Sequence, residues 1–300
     1  MTTRLVYRSY GGENRKSRPW YYSKLLSLAS FVRAAEAADL DITFVNDGPI
    51  PADRMALMAR RGEVVPVAHG PAGMRTSYLT GLQQATERKW DDDDVAYFCE
   101  DDYLHTVDAF ATLTAAAQEL PQVAYFTLHG TRERDPAVDY PHGWQPRPDL
   151  RAAGVAWTHI PSTTSTFGGR VGAVKEDMGI FRQCMRPFRR TFLDHETCLL
   201  YQGYRPYNLA ELFVGLPERR GTDLGSIAKT AVLVPFRVGM NVRALTRRSQ
   251  PHLLYTPAPN RACHLENDVL SPGVDWPAVA EETREWAADA GHRIAVDGPD

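Results

Sequence analysis

Apolar and polar positions alternate in two rhythms along the first 130 residues. Short apolar runs at 5–7, 41–45, 63–67, 95–99 and 123–128 have the length and residue types of buried strands. The segments between them carry helical spacing, at 20–38, 52–60, 76–88 and 107–120. In the first of these, Leu25, Leu28, Ala29 and Val32 share one face and Pro19 stands near the start. Turn chemistry punctuates the pattern: Asn46-Asp47-Gly48-Pro49 closes the second strand and His69-Gly70-Pro71-Ala72-Gly73 leads into the third helix. Strand–helix alternation of this kind predicts an α/β fold, a doubly wound, mostly parallel sheet flanked by helices.

Beyond residue 130 the rhythm weakens. Residues 129–165 are rich in Pro, His, Trp and Arg and read as long loops. A helix is predicted over 191–202, another over 277–290 with Val279, Thr283 and Trp286 on one face, and a frayed tail over 297–300. Residues 215–250 hold Arg219, Arg220, Lys229, Arg237, Arg243, Arg247 and Arg248 among glycines, and read either as a lid over an anionic ligand or as a solvated loop. Residues 1–130 and 131–296 are therefore expected to be two unlike halves of one domain.

Composition excludes several function classes. Hydrophobic content of 43% and charged content of 24% are those of an ordinary globular protein. A net charge of −3 gives no electrostatic reason to expect nucleic acid. No apolar run is long enough to span a bilayer, and the N-terminus lacks the apolar region of a signal peptide. Cys99, Cys184, Cys198 and Cys263 form no CxxC pair, which argues against a zinc site or a disulfide framework and fits a reducing cytoplasm.

The strongest chemical signal is the strand 95–100 running into Glu100-Asp101-Asp102. Ligands of open α/β sheets bind beyond the carboxyl ends of strands. Three carboxylates there repel one another unless a cation neutralises them, and hard oxygen ligands suit Mg²⁺ or Mn²⁺ shared with substrate phosphates. The alternative is a solvated acidic turn. The run Asp91 to Asp94 precedes the strand and reads as a solvated loop at the opposite edge. Trp144, Trp157, His159 and Phe167 read as core residues or as an aromatic platform for a sugar.

With these elements placed, the first half of the chain resembles the inverting, family-2-type glycosyltransferases of the GT-A fold, and the second half matches them more loosely. Asn46-Asp47-Gly48-Pro49 is similar to that family's Asp-Asp-Gly-Ser turn, the stretch from Gly70 to Leu82 to its Gly-rich loop and helix, and Tyr97 to Asp102 to its Asp-x-Asp metal motif with Glu100 in the first acidic place. In the second half, Leu193-Asp194-His195-Glu196 opens a helix ending at Gly203-Tyr204, where the family carries a catalytic base. The usual Glu-Asp pair is here Leu-Asp.

The resemblance implies a nucleotide-sugar-binding half, 1–130, and an acceptor-binding and catalytic-base half, 131–296. It implies an enzyme that moves a sugar from a UDP-, GDP- or dTDP-sugar to a carbohydrate or small-molecule acceptor. Glu100, Asp102 and His264 would hold Mn²⁺ or Mg²⁺, with His252 the alternative histidine. Asp101 would lie beside the donor. Arg8, Tyr10, Asp47 and Arg75 would contact nucleobase, ribose or diphosphate. Asp194 would be the general base, with Glu196 the second choice. A peripheral membrane association stays compatible with this reading. A nucleotidyltransferase would share the sheet but needs a Gly-rich, lysine-bearing loop after the first strand, which Gly11-Gly12-Glu13-Asn14-Arg15-Lys16 matches in part. A catalytically dead GT-A binding domain is the third reading.

Overall fold

A computed structural model describes residues 1–13, 16–130, 143–185, 193–215 and 231–295. The first half follows the predicted alternation: β1 (Thr3–Tyr10), α1 (Lys24–Ala37), β2 (Ile42–Asp47), α2 (Ala52–Met58), β3 (Gly62–Pro66), α3 (Met74–Glu87), β4 (Val95–Glu100), β5 (Tyr103–His105), α4 (Ala109–Glu119) and β6 (Tyr125–Phe126). β1 is buried on both faces, as a central parallel strand must be. Leu5 and Tyr7 pack into the core that holds α1 and α4, while Val6 packs into the opposite core with residues of α3.

The main sheet has nine strands in the order β3-β2-β1-β4-β9-β6-β10-β8-β7, where β7 is Leu150–Ala152, β8 Val155–His159, β9 Phe167–Arg170 and β10 Leu254–Ala258. β3, β2, β1 and β4 are parallel; β9 runs antiparallel between β4 and β6. The winding reverses between β1 and β4, the crevice where open α/β sheets bind ligands. Register sets what lies there: Arg8 pairs with Glu100, and Tyr10 with Asp47. A separate two-stranded sheet joins β5 to β11 (Ala262–His264), with Tyr103 opposite His264.

The second half departs from the sequence reading. Part of the predicted loop over 129–165 is the hairpin β7–β8. Its turn residues Ala153 (φ 52°) and Gly154 (φ 74°) both have positive φ, the geometry a tight hairpin requires. Two further helices were not predicted, α5 (Val171–Cys184) and α7 (Leu209–Val214), while α6 (Asp194–Tyr201) falls within the predicted 191–202. Within the basic stretch 215–250, residues 234–247 form a regular helix, α8 (Val234–Arg247), rather than a loop. Arg219, Arg220, Lys229 and the tail 297–300 lie outside the described residues. The last helix, α9 (Trp276–Asp289), lies where predicted and packs on α1. No helix among the described residues is long and apolar enough to cross a membrane.

One further reading needs correction. Asp94 is not solvated: it is buried, takes two bonds from the Arg4 guanidinium at 3.0 and 3.1 Å, and accepts from the Thr2 amide at 2.6 Å. Trp144, Trp157, His159 and Phe167 are all buried, with Trp144 stacked on His159 at 4.8 Å, so they are core rather than an exposed sugar platform.

His105, on β5, is fully buried among Phe31, Tyr97 and Phe110. Burial pushes its imidazole down to about 3. A histidine neutral in the fold but protonated when unfolded near 6.5 contributes stability that is complete above pH 6.5 and lost as pH falls toward 3. Acidification from pH 7 to 5 should therefore lower the unfolding free energy by about 2 kcal/mol through His105 alone. Urea titrations of wild type and His105→Gln test this: the variant should show a correspondingly smaller loss, and an equal loss in both proteins would refute it.

Candidate functional site

β1 and β4 end, and α1 and α2 begin, at the β1–β4 crevice, and each delivers charge. Arg8 leaves the end of β1 and donates to Glu100 Oε1 at 2.6 Å, to Ser77 Oγ at 3.3 Å and to Ser165 Oγ at 3.4 Å. Its guanidinium lies over the Tyr78 ring. Asp101 is buried and accepts from Lys24 Nζ at 2.9 Å and from the Tyr10 amide at 2.8 Å. Lys24 and Arg54 also donate to the Tyr10 carbonyl, at 3.1 and 3.0 Å, and Arg54 reaches the Gly11 carbonyl at 3.1 Å. The backbone after β1 is thus fixed while the Tyr10 residue stays 42% exposed.

Asp102 is the meeting point. Its Oδ2 accepts from Arg18 Nη2 at 3.0 Å and lies 3.1 Å from His264 Nε2 and 3.8 Å from Lys16 Nζ. Lys16 Nζ is also 3.4 Å from His264 Nε2 and 3.0 Å from Glu266 Oε2. The β5–β11 pairing delivers His264 here, and the Tyr103 ring stacks on it at 4.8 Å and 6°. The Tyr103 hydroxyl pairs with Thr164 Oγ1 at 2.7 Å. Burial pushes the Asp102 carboxyl up, but His264, Arg18 and Lys16 together outweigh it and hold the group well below the usual carboxylate range. Burial lifts Asp101 above that range, with Lys24 pulling the other way.

Arg8, Lys16, Arg18, Lys24 and Arg54 thus face Glu100, Asp101, Asp102 and Glu266. The acids were expected to need a cation from outside, yet the chain provides these cations itself.

Asp47 keeps both oxygens on its neighbours, accepting from the amides of Ala72 at 2.6 Å and Gly73 at 2.9 Å. It caps the loop before α3. Arg75 stands in the first turn of α3, with Nη2 buried and without a hydrogen-bond partner among the described residues. Asp194 opens α6 and lines a small cavity of about 10 Å³, room for one water, with Tyr78, Thr164 and Thr197. Tyr78 and Thr164 link it to Arg8 and Tyr103. Glu196 is fully buried and accepts from the Tyr207 hydroxyl at 3.1 Å, which places it inside the fold. His252 belongs elsewhere, 2.5 Å from the buried Asp177, which also binds Arg247.

Sequence reasoning missed Lys24, Arg54 and the hydroxyl run Thr163 to Thr166. Lys24 did carry a signal: it is the first residue of α1, and a cation at a helix's positive end is disfavoured unless an anion is near. The hydroxyls of Thr164, Ser165 and Thr166 bind Tyr103, Arg8 and the Glu100 amide respectively.

For a divalent metal, the donor set is Asp102 and His264. Asp102 Oδ1 is buried and without a hydrogen-bond partner among the described residues, so one carboxylate oxygen is available. Among those residues no three His, Cys, Asp or Glu groups converge as a metal centre. One carboxylate and one imidazole suit Mg²⁺ or Mn²⁺ only when phosphate oxygens and waters complete the shell. Glu100 and Asp101 are turned to Arg8 and Lys24 instead.

No protein-family model matches the chain, and no curated protein matches it. Among solved structures, the galactosyltransferase LgtC, in complex with donor and acceptor sugar analogues, is similar with 14% identity and a TM-score of 0.44, over 95% of each chain. S. aureus TarS 1–349 is similar with 11% identity and a TM-score of 0.42, over 67% of this chain; the match spans 56% of the TarS chain. A 4-diphosphocytidyl-2C-methyl-D-erythritol synthase is similar with 10% identity and a TM-score of 0.37, over 78% of this chain and 97% of its own. Identities and scores this low carry no assignment, so the functional reading rests on the residues themselves.

Removing one member of a buried ion pair strands its partner, typically at a cost of about 3 kcal/mol or more. Lys24→Met should therefore lower stability by about 3 kcal/mol, and adding Asp101→Asn should restore much of it. Denaturant midpoints of the single and double variants measure this; simple additivity of the two losses would contradict the pairing.

Proposed function

We propose that the protein is a glycosyltransferase that moves a sugar from a UDP-, GDP- or dTDP-sugar to an acceptor hydroxyl with inversion. The observation that carries this is the convergence of Asp102, His264, Lys16 and Arg18 at the β1–β4 switch point, with Asp194 reached across Tyr78 and Thr164. A diphosphate leaving group needs positive charge where negative charge builds. Lys16 and Arg18 carry that charge on short connections from β1, and the exposed Tyr10 ring offers a face for the base. Mn²⁺ or Mg²⁺ would be held by Asp102 and His264 together with phosphate oxygens. Bound there, the ion supplies Lewis-acid stabilisation of the leaving diphosphate.

Asp194 is the group placed to take the acceptor's proton. It stands in the first turn of α6, where the helix end favours the anion, and Glu196 is committed to Tyr207. Among the described residues the other carboxylate near Asp194 is Glu196, buried and bonded to Tyr207, and one accessible base fits single displacement, hence inversion. Asp194→Asn should keep nucleotide affinity and lower turnover by about 100-fold or more. Proton NMR of the product's anomeric coupling tests the stereochemistry: an α-linked donor should yield a β-linked product, and retained configuration would refute the mechanism.

One observation favours a second reading. Lys16, on the segment after β1, does reach the acidic site, as a nucleotidyltransferase's lysine loop would. Asn14 and Arg15 of that segment lie outside the described residues. The released product separates the two: nucleoside diphosphate for sugar transfer, pyrophosphate for nucleotidyl transfer.

A further inference from the structure

Asp102, His264 and Glu266 surround a cation, and the cation is Lys16. Its ammonium is 3.0 Å from Glu266 Oε2, 3.4 Å from His264 Nε2 and 3.8 Å from Asp102 Oδ2. The same two donors, Asp102 and His264, make up the set available to a divalent metal. Lys16 and Arg18 already stand 3.8 and 3.0 Å from Asp102 Oδ2, so a divalent ion arriving beside them meets strong repulsion in a half-buried site. A metal arriving alone must therefore displace Lys16, the more exposed of the two cations, from its three partners with no diphosphate to receive the displaced ammonium.

A diphosphate changes that balance. Its oxygens complete a metal's shell and give the displaced ammonium a new anionic partner. Lys16 is suited to such an exchange. Its side chain is one-third exposed and makes point-charge contacts only. Arg18 is not: it donates to the Leu265 carbonyl at 2.7 Å and to Asp102 at 3.0 Å, and stacks over Tyr22 at 4.4 Å. Arg18 therefore holds Asp102 in place whichever cation is bound, while Lys16 can leave.

We infer that Lys16 is a tethered cation that makes divalent-metal binding conditional on the nucleoside diphosphate. The inference rests on the metal and nucleotide reading of this site given above. Because coupling between ligands is reciprocal, the diphosphate also binds more tightly when metal is present, and Lys16 sets the size of that coupling.

The test is Mn²⁺ binding followed by electron paramagnetic resonance of the free ion. It uses wild type, Lys16→Met, Lys16→Arg and Asp102→Asn, each alone and with UDP, GDP and dTDP. Wild type should bind Mn²⁺ weakly alone and at least about tenfold more tightly with the matching nucleotide. Lys16→Met should bind Mn²⁺ alone about tenfold more tightly than wild type and gain less from nucleotide. Lys16→Arg keeps the charge and should resemble wild type, and Asp102→Asn should bind in neither condition. Equal Mn²⁺ affinity of wild type and Lys16→Met without nucleotide overturns the inference while leaving the metal site standing. No Mn²⁺ binding by wild type with any of the three nucleotides overturns the metal reading itself.

Discussion

Charge neutralisation at the end of β4 is the constraint on which the rest of the site depends. A strand buried on both faces delivers Glu100, Asp101 and Asp102 into the interior edge of the sheet, where unpaired carboxylates would be very costly. Each is met by a cation from a different element: Arg8 from β1, Lys24 from α1, and Arg18 with Lys16 from the segment between them. These pairings tie β1, α1 and β4 together beyond their backbone bonds. They also fix the backbone at Tyr10 and leave a surplus of positive charge at the crevice. The stabilising arrangement and the anion-binding arrangement are thus the same set of groups.

The second half of the chain completes what the first half begins. β9 inserts antiparallel beside β4, and the hydroxyl run just before it reaches the acids, with Thr166 on the Glu100 amide and Ser165 on Arg8. β11 crosses to β5 and lays His264 against Asp102. α6 presents Asp194 near the same edge, bridged by Tyr78 and Thr164. Carboxylates with unlike neighbours result: Asp102 is held ionised by cations, while Asp194 sits at a helix end beside a small cavity. Separate environments let such groups take separate roles.

The first half was legible because its signals are local. Apolar runs, helical spacing and the Asn46–Pro49 turn each predict one element, and the switch point follows from their order. Asp102 and His264 were named from sequence, and the structure brings them within 3.1 Å. An Asp in a turn such as that of Asp47 can face a ligand or its own loop; here the amides of Ala72 and Gly73 take both oxygens. Asp94 was misread, and the pairing of Asp101 was not foreseen, because their cations, Arg4 and Lys24, lie 90 and 77 residues away in sequence. The hairpin β7–β8 hid behind an Ala-Gly turn without the usual Asn or Asp. α8 hid because its arginines, such as Arg247 on Asp177, are paired inside the fold rather than solvated.

The central claim is that a nucleoside diphosphate binds at the carboxyl ends of β1 and β4. Hydrogen exchange followed by mass spectrometry, with and without saturating UDP, GDP or dTDP plus Mn²⁺, tests it most directly. The account predicts new protection confined to the backbone around residues 8–18, 100–104 and 264–266, with α5 and α9 unchanged. Protection elsewhere, or none with any of the three nucleotides, would contradict it.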